Sequence, residues 1–355
     1  MKILAINPGS TSTKIAVYEN TTELFETVIR HDLDVISEYE HIIDQYDFRM
    51  KIIIDVLKEK SIDLNSIDFV VGRGGLVKPI PGGVYEVNDI MIEDLRISPL
   101  GEHASNLGAM IAKAIASEIG DDIKSYIVNP VVVDEMNDLA RFSGHPELPR
   151  ISIFHALNQK AVALRYSREI GKDYEELNLV VVHLGGGITV GAHENGKVID
   201  VNNGLDGEGP YSPERCGTLP AGALVKLCYS GKYQYHEVKR MITGKGGFVA
   251  YLNSNNAYDI ELNSEKDEKS RMVFEGMIYQ VAKEVGACST VLSGKVDAIL
   301  VTGGIAHSNP LIEKLTKRVG FIAPVKVYPG EDEMRSLAES VYYSSKGEQE
   351  IKIYI

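Results

Sequence analysis

The chain has 355 residues, about twice a typical single domain, so two domains are expected before any motif is read. Hydrophobic residues make up 44% and charged residues 25%, a globular balance that excludes a disordered chain, and no apolar run approaches the ~18 residues of a membrane span. Thirty-seven basic against fifty acidic residues leave a net charge of −13, which would repel a nucleic-acid backbone, so an anionic ligand must be met by a few local cations and backbone N–H groups. The start turns polar too soon for a signal peptide. Cys216, Cys228 and Cys288 are odd in number and lack Cys-x-x-Cys spacing, which speaks against a disulfide framework or zinc site and for a cytoplasmic protein.

Residues 2–7 and 13–19 read as two strands of a hairpin joined by Pro8-Gly9-Ser10-Thr11-Ser12. A third strand follows at 24–30, then helical periodicity over 38–58 and a buried strand over 68–72. An Ala-rich helix spans 101–120, and a strand over 126–133 is broken at Pro130. Residues 143–149 carry the linker signal that places a domain boundary at 150.

Near the middle the opening pattern recurs: a strand over 179–183, the turn Leu184-Gly185-Gly186-Gly187, and a second strand from Ile188. Ile3 then overlays Leu179, Asn7 overlays His183 and Gly9 overlays Gly185; with one turn residue removed, Glu19-Asn20 overlays Glu194-Asn195. Two halves built on one plan are expected. The glycine- and proline-rich stretch 202–222 reads as a functional loop. A long helix or broken pair covers 265–292, with Ser264 and Asp267 as a capping box and Val273, Met277, Val281 and Val285 as its buried stripe. A strand over 296–302 leads into Gly303-Gly304 and a helix capped by Asn309 with Pro310 in its first turn. A last helix over 332–343 and a half-exposed strand over 350–355 end the reading.

Two hairpin turns rich in Gly, Ser and Thr, one per half, suit phosphate. Glycine lets the backbone approach, successive N–H groups form an anion nest, and Ser10, Thr11, Ser12, Thr13 and Lys14 add donors. A Walker A loop is absent, because Gly294-Lys295 is followed by Val296. A dinucleotide fingerprint is absent too, because 185–187 leads into a strand and not a helix.

Asn7-Pro8-Gly9-Ser10-Thr11-Ser12-Thr13-Lys14 resembles the first phosphate signature of the acetate kinase family. His183-Leu184-Gly185-Gly186-Gly187 resembles its second, and Val301-Thr302-Gly303-Gly304-Ile305 its adenosine motif. Arg73-Gly74-Gly75, Val132-Val133-Asp134, Phe154-His155 and Arg215-Cys216-Gly217 extend the likeness along the chain, and residues 72–85 and 328–334 are similar to the branch that acts on butyrate.

The resemblance implies an α/β, duplicated actin-like (ribonuclease H-like) fold, with ATP in a cleft between two domains. These would be 1–150, completed by 335–355, and 151–334. The implied reaction is reversible phosphorylation of a short-chain carboxylate by ATP with Mg2+, giving acyl phosphate and ADP. A carboxylate is already ionised at neutral pH, so such a reaction needs no general base, only positioning and cations. By resemblance Arg73 holds the substrate carboxylate beside Gly75 and His103. Arg215 and His155 contact the transferring phosphoryl, and Asp134 acts at the metal with Asn7 and Glu333, Glu331 competing for the last place. Asn7, Gly9, Ser10, Ser12, Lys14, His183, Gly185, Gly186, Gly187, Gly303, Gly304 and Ile305 would hold the nucleotide. Acetate kinases carry a bulkier apolar pair where Gly74-Gly75 stands, so space for two more methylenes is expected there, each worth about 0.8 kcal/mol if buried. That points to butyrate or a branched acid over acetate. A homo-oligomer is implied as well. A sugar kinase using Asp134 as base, or a nucleotide-switched assembly or chaperone protein, is the alternative.

Overall fold

The computed structural model describes residues 1–355. By its contacts the chain divides into Met1–Val133 with Asp332–Ile355, and Asp134–Glu331. The division falls before 150 because residues 134–150 are tied to the second unit. A buried Lys160–Glu135 ion pair closes at 2.8 Å, Asn137 N–H donates to Ile199 O at 2.9 Å, and Arg150 donates to Asp200 at 2.9 Å. Residues 143–149 are an exposed surface loop within that unit.

The first unit holds a seven-stranded sheet. Its strands are β1 Lys2–Pro8, β2 Ser12–Glu19, β3 Thr22–Arg30, β4 Phe69–Arg73, β5 Val84–Glu86, β6 Lys124–Val128 and the C-terminal strand Ile351–Ile353. The spatial order is C-terminal strand, β5, β6, β4, β1, β2, β3. β1 is buried on both faces, and Leu4 and Ile6 share a core with Leu107, Ile111 and Ile115 of helix Asn106–Ile119. Helix Glu333–Ser345 returns to pack on β1 and β4, burying Met334, Leu337 and Val341.

The second unit holds β7 Leu179–Leu184, β8 Ile188–Glu194, β9 Lys197–Val201, β10 Ala298–Gly303 and β11 Val325–Pro329, in the order β11, β10, β7, β8, β9. Val180 and Val182 face the core that contains helix Glu268–Val291, whereas Leu179 and Val181 face that of helix Ala156–Ile170. A continuous apolar strand with a helix layer on each face is what this pattern requires.

Duplication is visible in the register. β6–β4–β1–β2–β3 and β11–β10–β7–β8–β9 share order and direction. Each central strand begins opposite its parallel neighbour at an equivalent place, Ile3 at Phe69 and Leu179 at Ala298. The two β-bulges, at Val17/Tyr18 and Ala192/His193, fall on positions that the sequence overlay equates. So do the left-handed residues Asn20 (φ 57) and Asn195 (φ 51) that turn each second strand into the third.

Several element ends differ from expectation. The helix expected from 38 starts at Tyr46, and the one from 101 starts at Asn106. Asp267, not Ser264, caps the long helix by accepting from Ser270 N–H at 2.7 Å, while Ser264 ends the preceding helix Ala257–Ser264. Ser308, not Asn309, caps Asn309–Val319, accepting from Leu311 N–H at 3.1 Å. In each case the extended residue just before the first helical turn supplies the oxygen. No helix is long and apolar enough to cross a membrane.

Candidate functional site

In the first unit the chemistry gathers at the carboxyl ends of β1 and β4, where open α/β sheets bind ligands. Gly9 N–H donates to Ser12 O at 2.7 Å and closes the first turn. Its carbonyls are gathered from behind by Arg49, a side chain only 1% exposed that the sequence reading missed. Arg49 donates to Gly9 O at 2.8 Å, Ser10 O at 3.0 Å, Ser12 O at 3.2 Å and Gln45 Oε1 at 2.8 Å. A trans peptide points its N–H opposite its carbonyl, so the amides of Ser10 and Thr11 face away from Arg49, as an anion nest needs. Lys14 is not brought into this group, since its ammonium pairs with Glu26 on β3 at 3.2 Å.

Asn7 and Arg73, at or near the ends of β1 and β4, converge on one carboxylate. Asn7 Nδ2 donates to Glu333 Oε2 at 2.5 Å, and Arg73 ion-pairs with Glu333 Oε1. His103 lies in the same field: burial, and then the Arg73 charge, hold its pKa below the usual range. Its Nδ1 accepts from Ser105 N–H at 3.2 Å.

The expected space at Gly74-Gly75 is filled. A Cβ on Gly75 would lie 2.6 Å from Asn106 and 2.8 Å from Leu95, and one on Gly74 would lie 2.7 Å from Pro130. These glycines let the Arg73 loop lie on its neighbours, with Leu76 N–H donating to Asn106 Oδ1 at 2.8 Å, and they open no pocket.

In the second unit His183 ends β7 beside the second turn, fully buried, with Nδ1 2.7 Å from Asn158 Oδ1. Its Nε2 sits 3.2 Å from Glu331 Oε1, off the line that a hydrogen bond needs. His155, at the start of helix Ala156–Ile170, stacks on His183 with ring centroids 3.8 Å apart. Arg215 lies against the same turn: its Nη1 donates to Gly204 O at 2.6 Å, and a side chain at Gly187 would strike the guanidinium. Burial holds its pKa below the usual arginine value, and no carboxylate pairs with it. Arg150, Arg141 and Arg73 by contrast each meet at least one.

A cavity of about 650 Å³ opens over Gly185 and Gly186, with Gly304 and Ile305 opposite. Asn255, Asn256, Tyr258 and Glu261 also line it, none of them singled out from sequence, together with Asn309, which was read only as a helix cap. Gly303, at φ 95, lies so close to Leu184 that no Cβ fits, whereas a Cβ on Gly304 would meet nothing within 4 Å. Backbone exposed in this way on both walls fits a nucleotide whose phosphates approach the main chain. Glu214, Glu261 and Glu331 are the charged side chains of the lining, which contains no lysine or arginine.

Of the expected metal ligands, Glu333 offers the hard carboxylate oxygens that Mg2+ takes, but Oε2 accepts from the Asn7 amide nitrogen and Oε1 pairs with Arg73, so a metal would have to displace these partners and turn the Asn7 amide oxygen toward it. Asp134 is held by Arg141, both carboxylate oxygens accepting, at 2.7 and 2.9 Å.

Two sheets that share one five-strand order, each with a glycine turn after its first strand, define the duplicated actin-like fold. The fold matches acetate kinase from Porphyromonas gingivalis with a TM-score of 0.79 at 20% identity, over 96% of this chain and 98% of that one. It also matches a propionate kinase from Francisella tularensis at 0.72 and 18%, with 96% and 98% covered. Residues 150–338 match the acetokinase family. Over 354 residues the chain is 56% identical to butyrate kinase 2 and 53% identical to butyrate kinase 1, both of Clostridium acetobutylicum, with 99% of each chain covered. The chain belongs to the acetokinase family, kinases that phosphorylate a carboxylate, as the sequence resemblance implied.

Proposed function

We propose that this chain is a butyrate kinase, transferring the γ-phosphoryl of ATP reversibly to butyrate or a branched short acid with Mg2+. The observation that carries the reading is Arg215, a buried guanidinium beside a glycine turn, with a backbone carbonyl for partner and only the distant charge of Glu214, not an ion pair, against its desolvation. A desolvated cation without an ion pair is costly unless an anion arrives, and the phosphoryl in transfer, with charge spread over its oxygens, is such an anion. In this reading Arg73 binds the acceptor carboxylate as a planar fork, exchanging Glu333 for substrate, and neutral His103 donates a hydrogen bond beside it. His183 and the amides of the second turn hold the nucleotide phosphates, with the adenosine in the cavity next to Gly304 and Ile305. Magnesium, held by Asn7 and Glu333, would supply charge neutralisation at the phosphate oxygens. Chain-length preference rests on the high identity to butyrate kinases, and no longer on Gly74-Gly75.

A sugar hydroxyl would need a carboxylate base. Asp134 is a poor one while Arg141 holds both its oxygens. The exposed apolar helix Ala221–Cys228, which buries none of its residues, supports a homo-oligomer, and three free cysteines support a cytoplasmic setting.

The test is hydroxylamine trapping of acyl phosphate with ATP and Mg2+ across a panel of short acids. Butyrate hydroxamate should form and vanish in Arg73→Ala and Arg215→Ala. Activity that survives both substitutions overturns the assignment.

A further inference from the structure

We propose that Thr189 and Gln159 are positioning residues that fix the neutral His155 ring as its Nε2–H tautomer, with His193 and Tyr174 continuing the same hydrogen-bonded chain behind them. His155 then presents a donor, not a lone pair, to the transferred phosphoryl. That last role rests on the function proposed above; the tautomer does not.

The chain is closed to water. Gln159, Thr189 and His193 are 0% exposed and Tyr174 is 5% exposed. Each member contacts the next: Tyr174 Oη to His193 Nδ1 at 2.7 Å, His193 Nε2 to Gln159 Oε1 at 3.0 Å, Gln159 Nε2 to Thr189 Oγ1 at 2.9 Å, and Thr189 Oγ1 to His155 Nδ1 at 3.0 Å. Proton positions in such a chain follow from whichever member cannot be reversed.

That member is the Thr189 carbonyl, which can only accept. It lies 3.2 Å from the Gln159 amide, so the nitrogen end of the amide must face it. Gln159 Oε1 therefore points at His193, a direction for which Gly191 makes room: a Cβ there would lie 2.6 Å from that oxygen. His193 must donate through Nε2. Its burial, with the Lys160 charge nearby, keeps the ring neutral, so Nδ1 accepts from the Tyr174 hydroxyl, which burial keeps protonated.

At the other end, the second N–H of Gln159 is spent on Thr189 Oγ1. The threonine hydroxyl thus accepts from Gln159 and has its own proton left to place. His155 Nδ1 is the acceptor in reach at 3.0 Å, and a neutral imidazole that accepts at Nδ1 carries its proton at Nε2. An isosteric valine would remove this constraint; a serine would keep it.

The experiment is long-range 1H–15N correlation of the full-length protein, labelled with 15N-histidine, at mildly alkaline pH where a histidine is neutral. The His155 resonance is assigned by its loss in His155→Asn. Wild type should show an unprotonated Nδ1 and a protonated Nε2, and Nδ1–H in wild type overturns the proposal with no variant needed. Thr189→Val should give a tautomer mixture, with kcat down roughly ten- to a hundredfold and KM for ATP within about twofold. Thr189→Ser should restore both readouts. Tyr174→Phe should leave the His155 tautomer unchanged, since the Thr189 carbonyl still orients Gln159. A folded Thr189→Val with an unaltered tautomer overturns the proposal. A shifted tautomer with unaltered kcat upholds it and removes His155 from the transfer step.

Discussion

At the scale of single residues, the site depends on backbone approach as much as on its charged groups. Gly187 illustrates this, because any side chain there would meet the Arg215 guanidinium. Gly187→Ala should therefore mimic loss of the arginine itself, with kcat down about 10²-fold and KM for the acid little changed, measured by steady-state assay with far-UV circular dichroism as the fold control. Gly186→Ala is the companion measurement. Its Cβ would meet only Glu214, at 4.0 Å, so the expected change is in KM for ATP. Gly75→Ala separates the two accounts of the loop after Arg73. Overpacking against Asn106 and Leu95 should lower stability by about 1–3 kcal/mol in urea titration and leave the ratio of butyrate to acetate activity unchanged. A shift of that ratio toward acetate would restore the open-pocket reading. Most site residues were legible because they sit within short runs, as His183 does beside its glycine turn. What a glycine's missing side chain is used for was not legible, since packing and open space leave the same letter in the sequence.

Between elements, the first phosphate turn takes its shape from a helix that begins after it by some thirty-five residues. Arg49, on helix Tyr46–Glu59, ties together the carbonyls of Gly9, Ser10 and Ser12. Arg49→Met keeps much of the buried stem and removes the donors. It removes the donor from three part-buried carbonyls, of which Ser12 O keeps the Gly9 N–H, at about 1 kcal/mol for each bond lost. Melting temperature should fall, and KM for ATP should rise several-fold while KM for the acid holds. An unchanged nucleotide KM in a folded Arg49→Met variant would mean that the turn does not serve phosphate. Arg49 escaped the sequence reading for a physical reason. A lone arginine in a helical pattern reads as a solvated charge, and backbone carbonyls leave no mark in a sequence. Asn255, Asn256, Tyr258 and Glu261 escaped in the same way, since a polar run reads as surface until the sheet sets it against Gly304. Periodicity did locate the strands and the long helix, but the caps shifted by a residue or more because several candidate oxygens were close together.

At the scale of the whole molecule, each unit carries its own acid-sensitive core built on neutral histidine. In the first unit His31, 6% exposed, is held at a pKa of about 4 by burial and then by the Arg49 charge. In the second, His193 is held well below the usual value. A histidine whose pKa is lower folded than unfolded binds more protons in the unfolded chain as pH drops below about 6.5. Its contribution is fully present above that value and is lost as pH falls through the folded pKa, by up to about 1.4 kcal/mol per pH unit for each group. The net charge of −13 works the other way, because acid relieves the repulsion among carboxylates. Carboxylates titrate near pH 4, however, below most of this window, so the histidines should govern the change between pH 7 and 5. Urea midpoints should therefore fall steadily over that range. His31→Gln should flatten part of that slope. A midpoint that is level or rising from pH 7 to 5 would mean that these rings take up protons without unfolding.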